Sequence, residues 1–476
     1  MTQSQPLRIA FIHPDLGIGG AERLVVDAAI GLAARGHQVT IYTSFHQPTR
    51  AFNETTDGTI TVKVLGNSLV PRSINNRFIT LCAILRQLHL ALSLIFSILI
   101  GSLALQKPHL FFVDQLSAAI PLLRYTTRTR ALFYCHFPDL LLSSTSPNTP
   151  TWLSTLKSIY RIPLDWLEEY TTANADTILV NSHFTAEVFS RTLTSINKTP
   201  KVVYPGVDIN IYDRPDSHQV DQKNCLIHSE RPTILSINRF EQKKNINLIL
   251  EAFIRLRNNL TPSDTSLPPR LVLAGGYDER LIDNRRTLKA LQENVPAGLN
   301  QLTLAKEDNQ RVEDCSPDVL FLLNLSQEHK LALLRANSTK LLGYTASNEH
   351  LGIGPLEGMA CRLPVLAVDS GGPKETISHT QTGYLVPPDP EKWAQAIHNI
   401  LAMGDLQRRR IGQAGRERVL ELFSTEVMAK HFELAILDIL SSARRTDIWL
   451  EPGFFHLLTF LLIPLLTMMI ATWKFF

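Results

Sequence analysis

The sequence predicts an α/β protein of two domains, each a parallel sheet covered by helices, because short β-branched runs alternate with longer helical stretches twice along the chain. Between the two series lies a polar stretch, residues 210–230, with little apolar periodicity. The length agrees, since 476 residues exceed what one core usually organises, domains commonly holding roughly 100–200. The expected division is a first Rossmann-like domain over 1–209, a linker over 210–230, a second domain over 231–420, a helix over 421–445 that packs back on the first domain, and a membrane segment over 453–474. Ligands of such sheets sit at the carboxyl ends of the strands, so two domains of this kind are expected to face one central cleft.

In chain order, the polar start Met1–Pro6 runs directly into a strand candidate, Arg8–His13, without the basic start, apolar core and small-residue site of a secretory signal. Next comes His13-Pro-Asp-Leu-Gly17-Ile-Gly19-Gly20-Ala-Glu-Arg23, with a helical pattern over Ala21–Ala34. Gly17, Gly19 and Gly20 form a loop that feeds a helix N-terminus, where backbone N–H groups and the macrodipole favour an anion or a sugar at close approach. Glu22 stands where the third glycine of G-x-G-x-x-G belongs, so a dinucleotide cofactor is not expected. Further strands are expected at Gln38–Thr43, Thr59–Leu65, Leu110–Val113, Arg130–Cys135, Thr177–Val180 and Lys201–Val203. Residues 87–106 contain no Asp, Glu, Lys or Arg. A single membrane crossing there would split one α/β domain in two, so the stretch is read as a helix that covers the sheet and touches the bilayer, or simply as a buried helix.

The second series holds strand candidates at Thr233–Ile237, Leu271–Ala274, Val319–Leu322, Lys340–Tyr344 and Pro364–Val368, and a charge-patterned helical stretch follows over Leu406–Leu440. From Gly453 to Trp473 another 21 residues lack Asp, Glu, Lys and Arg. That length can span a bilayer, although Pro464 also allows a re-entrant or interfacial segment.

The net charge of +3, from 47 basic and 44 acidic residues, supplies no global field that would select nucleic acid. The five cysteines are scattered, with neither a C-x-x-C pair nor metal-ligand spacing, which fits a reducing, cytosol-facing environment. Because no two aspartates are spaced i, i+2, no metal ligands are assigned.

Two motifs in the second series bear chemistry. Arg239 and Lys244 flank the loop after the strand Thr233–Ile237, placing two cations where a diphosphate could take a guanidinium and an ammonium together. The longer block runs from Ser347 to Glu375 and contains Glu349, Gly352, Ile353, Gly354, Pro355, Glu357, Gly371, Gly372 and Pro373. Gly352 and Gly354 suit a loop, Pro355 suits a first helical position, and Glu357 then falls in the first turn, where the dipole favours a carboxylate that can hold two ribose hydroxyls. The N–H groups around Gly352 and Ile353 would receive a phosphate, and Gly371-Gly372-Pro373 repeats the device of a flexible loop before a proline-started helix.

With Glu349 and Glu357 as a Glu-x7-Glu block and Arg239 and Lys244 upstream, residues 7 to about 440 resemble the retaining GT-B glycosyltransferases of family 4. Within that family, His13–Arg23, Tyr134-Cys-His-Phe-Pro138 and the long Glu349 block are similar to the α-1,3/α-1,6-mannosyltransferases of dolichol-linked oligosaccharide assembly. Asn245 departs from the glycine that many relatives have after the lysine. The resemblance implies GDP-mannose as donor, a dolichyl-diphosphate oligosaccharide as acceptor and no obligatory cofactor. It also implies an endoplasmic reticulum membrane location facing the cytosol, other transferases of the pathway as partners, and no nucleic acid partner. It gives the first domain the acceptor and the second the nucleotide sugar. Arg239 and Lys244 would stabilise the diphosphate, His136 would hold the donor sugar or a phosphate, Glu349 would orient the mannose, Gly352, Ile353 and Glu357 would bind the nucleotide, and Gly17, Gly19 and Gly20 would meet the acceptor. A transferase using another nucleotide sugar, or a non-catalytic partner on the same fold, are the alternatives.

Overall fold

The computed structural model describes residues 5–67, 69–74, 78–100, 107–138, 141, 151–213, 229–260, 267–305 and 317–443, with the backbone alone over 151–160. The membrane segment expected at 453–474 lies outside the described residues, as do 101–106 and most of the expected linker. The chain forms two compact units, Met1–Gly206 with Met428–Phe476, and Val207–Val427.

The first unit is built on a sheet of seven parallel strands: β1 Arg8–Leu16, β2 Gln38–His46, β3 Thr61–Val64, β4 Leu110–Asp114, β5 Arg130–Cys135, β6 Thr177–Val180 and β7 Lys201–Val202. Their order is β3-β2-β1-β4-β5-β6-β7, so the winding reverses between β1 and β4, where ligand crevices of open α/β sheets form. The central strand β4, Leu-Phe-Phe-Val-Asp, is buried along its whole length. β1 continues through Leu16, past the expected end at His13, because its ladder with β2 extends to the pairs Asp15 with Phe45 and Leu16 with His46.

Of the apolar stretch expected at 87–106, the part up to Leu99 belongs to a helix that starts earlier, Ile79–Leu99. Leu90, Ala91, Leu94 and Ile95 pack against Ile12, Tyr42, Phe111 and Val113 of the sheet. The buried Gln87 is satisfied by the backbone, donating from Nε2 to the Leu116 carbonyl at 2.6 Å and accepting from the Ala119 N–H at 3.3 Å. The opposite face leaves Leu92, Phe96, Leu99 and Ile100 exposed, an apolar ridge at helical spacing. Length and composition would let this helix cross a bilayer, but just over half of its most apolar stretch is buried in the protein.

The helix Thr425–Ser441 completes this unit from the far end of the chain. Met428, Phe432, Ala435, Ile436 and Ile439 join the core with Ile9, Phe11 and Phe112. The Phe432 ring meets Phe112 edge-on at 5.2 Å, and Arg35 and His37 both pair with Glu433, at 2.6 and 3.1 Å.

The second unit repeats the plan with β8 Thr233–Ile237, β9 Arg270–Gly275, β10 Gln301–Ala305, β11 Val319–Leu323, β12 Thr339–Tyr344, β13 Val365–Val368 and β14 Gly383–Val386, in the order β10-β11-β9-β8-β12-β13-β14. The winding reverses between β8 and β12. β10 and β14 were not foreseen. Both are edge strands whose side chains are half-buried or exposed, so neither shows the apolar run that marks the inner strands. The chain enters this unit at Val207, and Ile209–Asp213 is a short helix where a linker was expected from residue 210.

Candidate active site

In the second unit the expected residues gather at the carboxyl ends of β8 and β12, the two strands that flank the winding reversal. After β8, Gln242–Lys244 makes one tight turn and Asn245 closes it in the left-handed region with φ +46°. Asparagine is among the few side chains that tolerate this conformation, which accounts for its standing in a glycine position. The turn directs the Lys244 ammonium to Glu349 Oε1 at 2.5 Å. The Lys244 carbonyl accepts from the Thr345 hydroxyl at 2.6 Å, which ties the turn to the end of β12.

Beneath this pair lies Tyr344, the last residue of β12. Burial, together with the Glu349 carboxylate to which its hydroxyl donates, pushes the Tyr344 phenol well above its ordinary pKa. The Lys244 ammonium is 5.9 Å from the centre of its ring. Gly352 lies over the same ring with φ +86°, and a Cβ there would stand 3.2 Å from the ring edge. Gly371, with φ +64°, lets a second loop close on the first, because a Cβ at that position would meet the Glu349 carbonyl at 2.6 Å. The Gly372 N–H donates to that carbonyl at 2.7 Å. The backbone that bears Glu349 is thus clamped between an aromatic ring and a glycine turn.

The helix after Gly352 spans Ile353–Ala360 and has no side-chain cap, so the N–H groups of its first turn are available to an anion. This moves two expected residues. Pro355 occupies the third helical position rather than the first, and Glu357 the fifth, beyond the first turn. The dipole therefore does not hold Glu357. Side chains do: Glu357 Oε1 accepts from the Lys330 ammonium at 2.8 Å and from the Tyr212 hydroxyl at 3.1 Å. Burial first, and then the Glu357 carboxylate, raise the Tyr212 phenol far above its usual value, so it stays a donor. Each end of the Glu349–Glu357 block consequently rests on one lysine and one tyrosine. Lys330, Tyr212 and Tyr344 escaped the sequence reading because none has a fixed spacing from the glutamate it serves. Arg239 does not join Lys244: its guanidinium pairs with Glu241 at 2.9 Å, and its side chain is 63% exposed.

In the first unit the helix after the glycine loop spans Gly20–Ala34, with Gly19 as its extended N-cap. The Glu22 carboxylate folds back on this N-terminus, close to Gly19. Among the described residues, no atom beyond the chain neighbours and the helix's own backbone lies within 4 Å of a Cβ built at Gly17 or Gly20, so both glycines border open space.

His136 follows β5 and is partly exposed. Its Nε2 lies 2.6 Å from Asp114 Oδ2 at the end of β4, its carbonyl accepts from Asn181 Nδ2 at 2.9 Å, and the Tyr134 ring stands edge-on at 5.0 Å. The other oxygen of Asp114 lies 2.7 Å from Nδ1 of His13 on β1, whose Nε2 lies 3.1 Å from the Asp15 carbonyl. His13 and Asp114 are fully buried. Burial alone would raise the Asp114 carboxyl, but the two histidines hold it down to about 2. Burial alone would likewise lower His13, but Asp114, with smaller contributions from Glu22 and the Asp15 carbonyl, raises it above its ordinary value. The one available signal for this cluster was a charge ending a strand that is otherwise wholly apolar. Among the described residues no group of three His, Cys, Asp or Glu side chains could hold a metal ion.

Two family descriptions match the chain, Glycosyltransferase Family 4 over residues 18–211 and Glycosyl transferases group 1 over 218–418. The alpha-1,3/1,6-mannosyltransferase of Rhizomucor pusillus is 43% identical over 445 residues, 92% of this chain and 93% of its own length. The chain belongs to the alpha-1,3/1,6-mannosyltransferase family. The human member is 41% identical over 426 residues, covering 89% of this chain and 94% of its own. Sucrose-phosphate synthase from Thermosynechococcus elongatus, at 20% identity, has a related fold, with a TM-score of 0.65 over 92% of this chain and 100% of that structure. The two parallel sheets are those of the GT-B glycosyltransferases, and in this mannosyltransferase-family member the Glu349–Glu357 block and the His136 cluster lie at the reversal points of the two sheets.

Proposed function

We propose that the chain moves mannose from GDP-mannose to a dolichyl-diphosphate-linked Man-GlcNAc2 acceptor, with retention of configuration, at the endoplasmic reticulum membrane and with both units on the cytosolic side. As a member of its family it is a glycosyltransferase of N-glycan precursor assembly that makes α-1,3 and α-1,6 mannosyl bonds. The observation that carries the donor assignment is the pairing of both block glutamates with a lysine and a tyrosine. Lys330 and Tyr212 share Oε1 of Glu357, and Oε2 has no hydrogen-bond partner among the described residues, which suits it to ribose hydroxyls. Lys244 is close enough to Glu349 to be shared with a diphosphate, and the uncapped N–H groups from Gly352 and Ile353 add donors for a phosphate.

When the glycosidic bond breaks, negative charge grows on the diphosphate. Lys244, the exposed Arg239 and the helix N-terminus are the groups to stabilise it. Retention by same-face attack, with a phosphate oxygen taking the acceptor proton, needs no pair of carboxylates of glycosidase type. Glu349 then orients the mannose, and the open space at Gly17 and Gly20 suits an acceptor sugar. The exposed ridge of Leu92, Phe96, Leu99 and Ile100, and the apolar run 453–473, suit contact with the bilayer that holds a lipid acceptor.

The test is transfer by the purified full chain from labelled GDP-mannose to a short-chain lipid diphosphate bearing Man-GlcNAc2, with linkage analysis of the product. The expected outcome is one α-1,3 and one α-1,6 bond. Transfer from a UDP-sugar instead would overturn the donor, and a free-sugar acceptor working equally well would overturn the lipid.

A further inference from the structure

Resting on that functional reading, we infer that His13 and Asp114 are positioning residues for transfer: they fix His136 with its Nε2 hydrogen turned to Asp114 and its Nδ1 lone pair presented to a sugar hydroxyl of the substrates.

The case begins with His13. Its Nδ1 faces a carboxylate oxygen at 2.7 Å and its Nε2 faces a backbone carbonyl at 3.1 Å. Both partners only accept hydrogen bonds, so both ring nitrogens must carry hydrogen. His13 is therefore a buried imidazolium, and its positive charge matches the single negative charge of Asp114. The remaining carboxylate oxygen, Oδ2, faces His136 Nε2 at 2.6 Å and again only accepts. That nitrogen also carries hydrogen. With hydrogen on Nε2, the lone pair of the imidazole falls on Nδ1. An acceptor nitrogen suits a hydroxyl and repels a phosphate oxygen.

The groups around the cluster support this account. Tyr134 and Cys135, on β5, are pushed well above their ordinary values, each chiefly by burial, so both stay neutral. Tyr134 spends its hydrogen on the Val203 carbonyl at 2.9 Å. Glu22, from the helix after the glycine loop, acts on His13 and reinforces its charge. The Asp15 carboxylate is taken up by Arg86 at 2.6 Å and Arg72 at 3.3 Å. Asp114 is thus the anion that both imidazoles touch, and His13 is the cation that matches it.

Three variants and one spectrum test the inference. In Asp114→Asn the orientation of His136 is lost, and kcat should fall about 100-fold, as for a reacting group displaced by about 1 Å. In His13→Gln an amide can still donate to Asp114, so part of the hold on His136 remains and kcat should fall less than in Asp114→Asn. His136→Asn, whose amide reaches the place of Nδ1, should keep more activity than His136→Gln, whose amide reaches Nε2. Whichever KM rises, that for GDP-mannose or that for the lipid acceptor, identifies the hydroxyl's owner. Histidine 15N spectra of the unliganded wild-type chain should show His13 doubly protonated and His136 with hydrogen on Nε2 alone. Asp114→Asn and His13→Gln that keep the wild-type kcat and KM values and lose only thermal stability would show the cluster to be structural and overturn the inference, as would hydrogen on His136 Nδ1. If the wild-type chain transfers no mannose, the functional reading fails by itself and the spectrum still decides the clamp.

Discussion

The two units hold their charges in opposite ways. In the first, a buried carboxylate is locked between two imidazoles, and every polar atom of His13 and Asp114 already has its partner. In the second, Glu349 and Glu357 sit with Lys244 and Lys330 in pairs that keep some exposure, 12–24% of each side chain. Two charges that stay buried together cost much desolvation and gain it back only in fixed geometry, so such a knot serves orientation. Partly solvated pairs exchange partners at low cost, so they serve binding. One scaffold, used twice, supplies a rigid site and an adaptable one.

The largest effect should come from breaking the adaptable site. Lys244→Ala is expected to lower kcat about 10²–10³-fold while the thermal midpoint moves little, because the lost ammonium acts mainly when charge grows on the leaving group; single-turnover rates and a melting curve on the same sample measure both. Glu357→Gln should act on binding. Loss of charge-assisted bonds worth roughly 1.5–3 kcal/mol should weaken GDP by about 10- to 100-fold with a smaller change in kcat, as titration calorimetry would report. Tyr212→Phe, which removes one donor from the same oxygen and leaves Lys330 in place, should weaken GDP less than Glu357→Gln. Equal losses in the last two would mean that Glu357 is held by its partners and does not itself touch the nucleotide.

The rigid site is sharpened by pH. The stabilisation from Asp114 is present above its ordinary carboxyl value of 3.8 and is lost as the pH falls through about 2. That from His13 is full below 6.5 and is lost as the pH rises through its raised value in the folded chain. Denaturation midpoints followed across this range should decline at both ends, and Asp114→Asn should flatten both declines. The smallest effect is expected at the glycine loop: Gly20→Ala, at the first helical position with open space around it, should change stability by less than about 1 kcal/mol, and a selective rise in KM for the acceptor would place the acceptor there.

Glu349 and Glu357 with their glycines, and Arg239 with Lys244, were legible as two motifs because the members of each lie close together in sequence after a strand. The inner strands were legible for a related reason: a strand buried on both faces must be apolar throughout, as Leu110–Val113 and Val319–Leu323 are. The edge strands β10 and β14 carry no such mark. Glu357, expected in the first turn of a helix begun by Pro355, stands fifth in a helix that begins at Ile353, and that shift of two positions replaces the dipole with Lys330 and Tyr212 as its support.

Residue order alone therefore determined the two α/β series, the Glu349–Glu357 motif and the apolar stretches, all of which rest on local periodicity or short spacing. Only the tertiary structure decided which residues complete each site. Asp114 stands 101 residues from His13 and 22 from His136, and Glu349 stands 105 from Lys244. Contacts at such separations are set by strand order, and strand order follows from how whole sheets bury their faces, which no local stretch of sequence records.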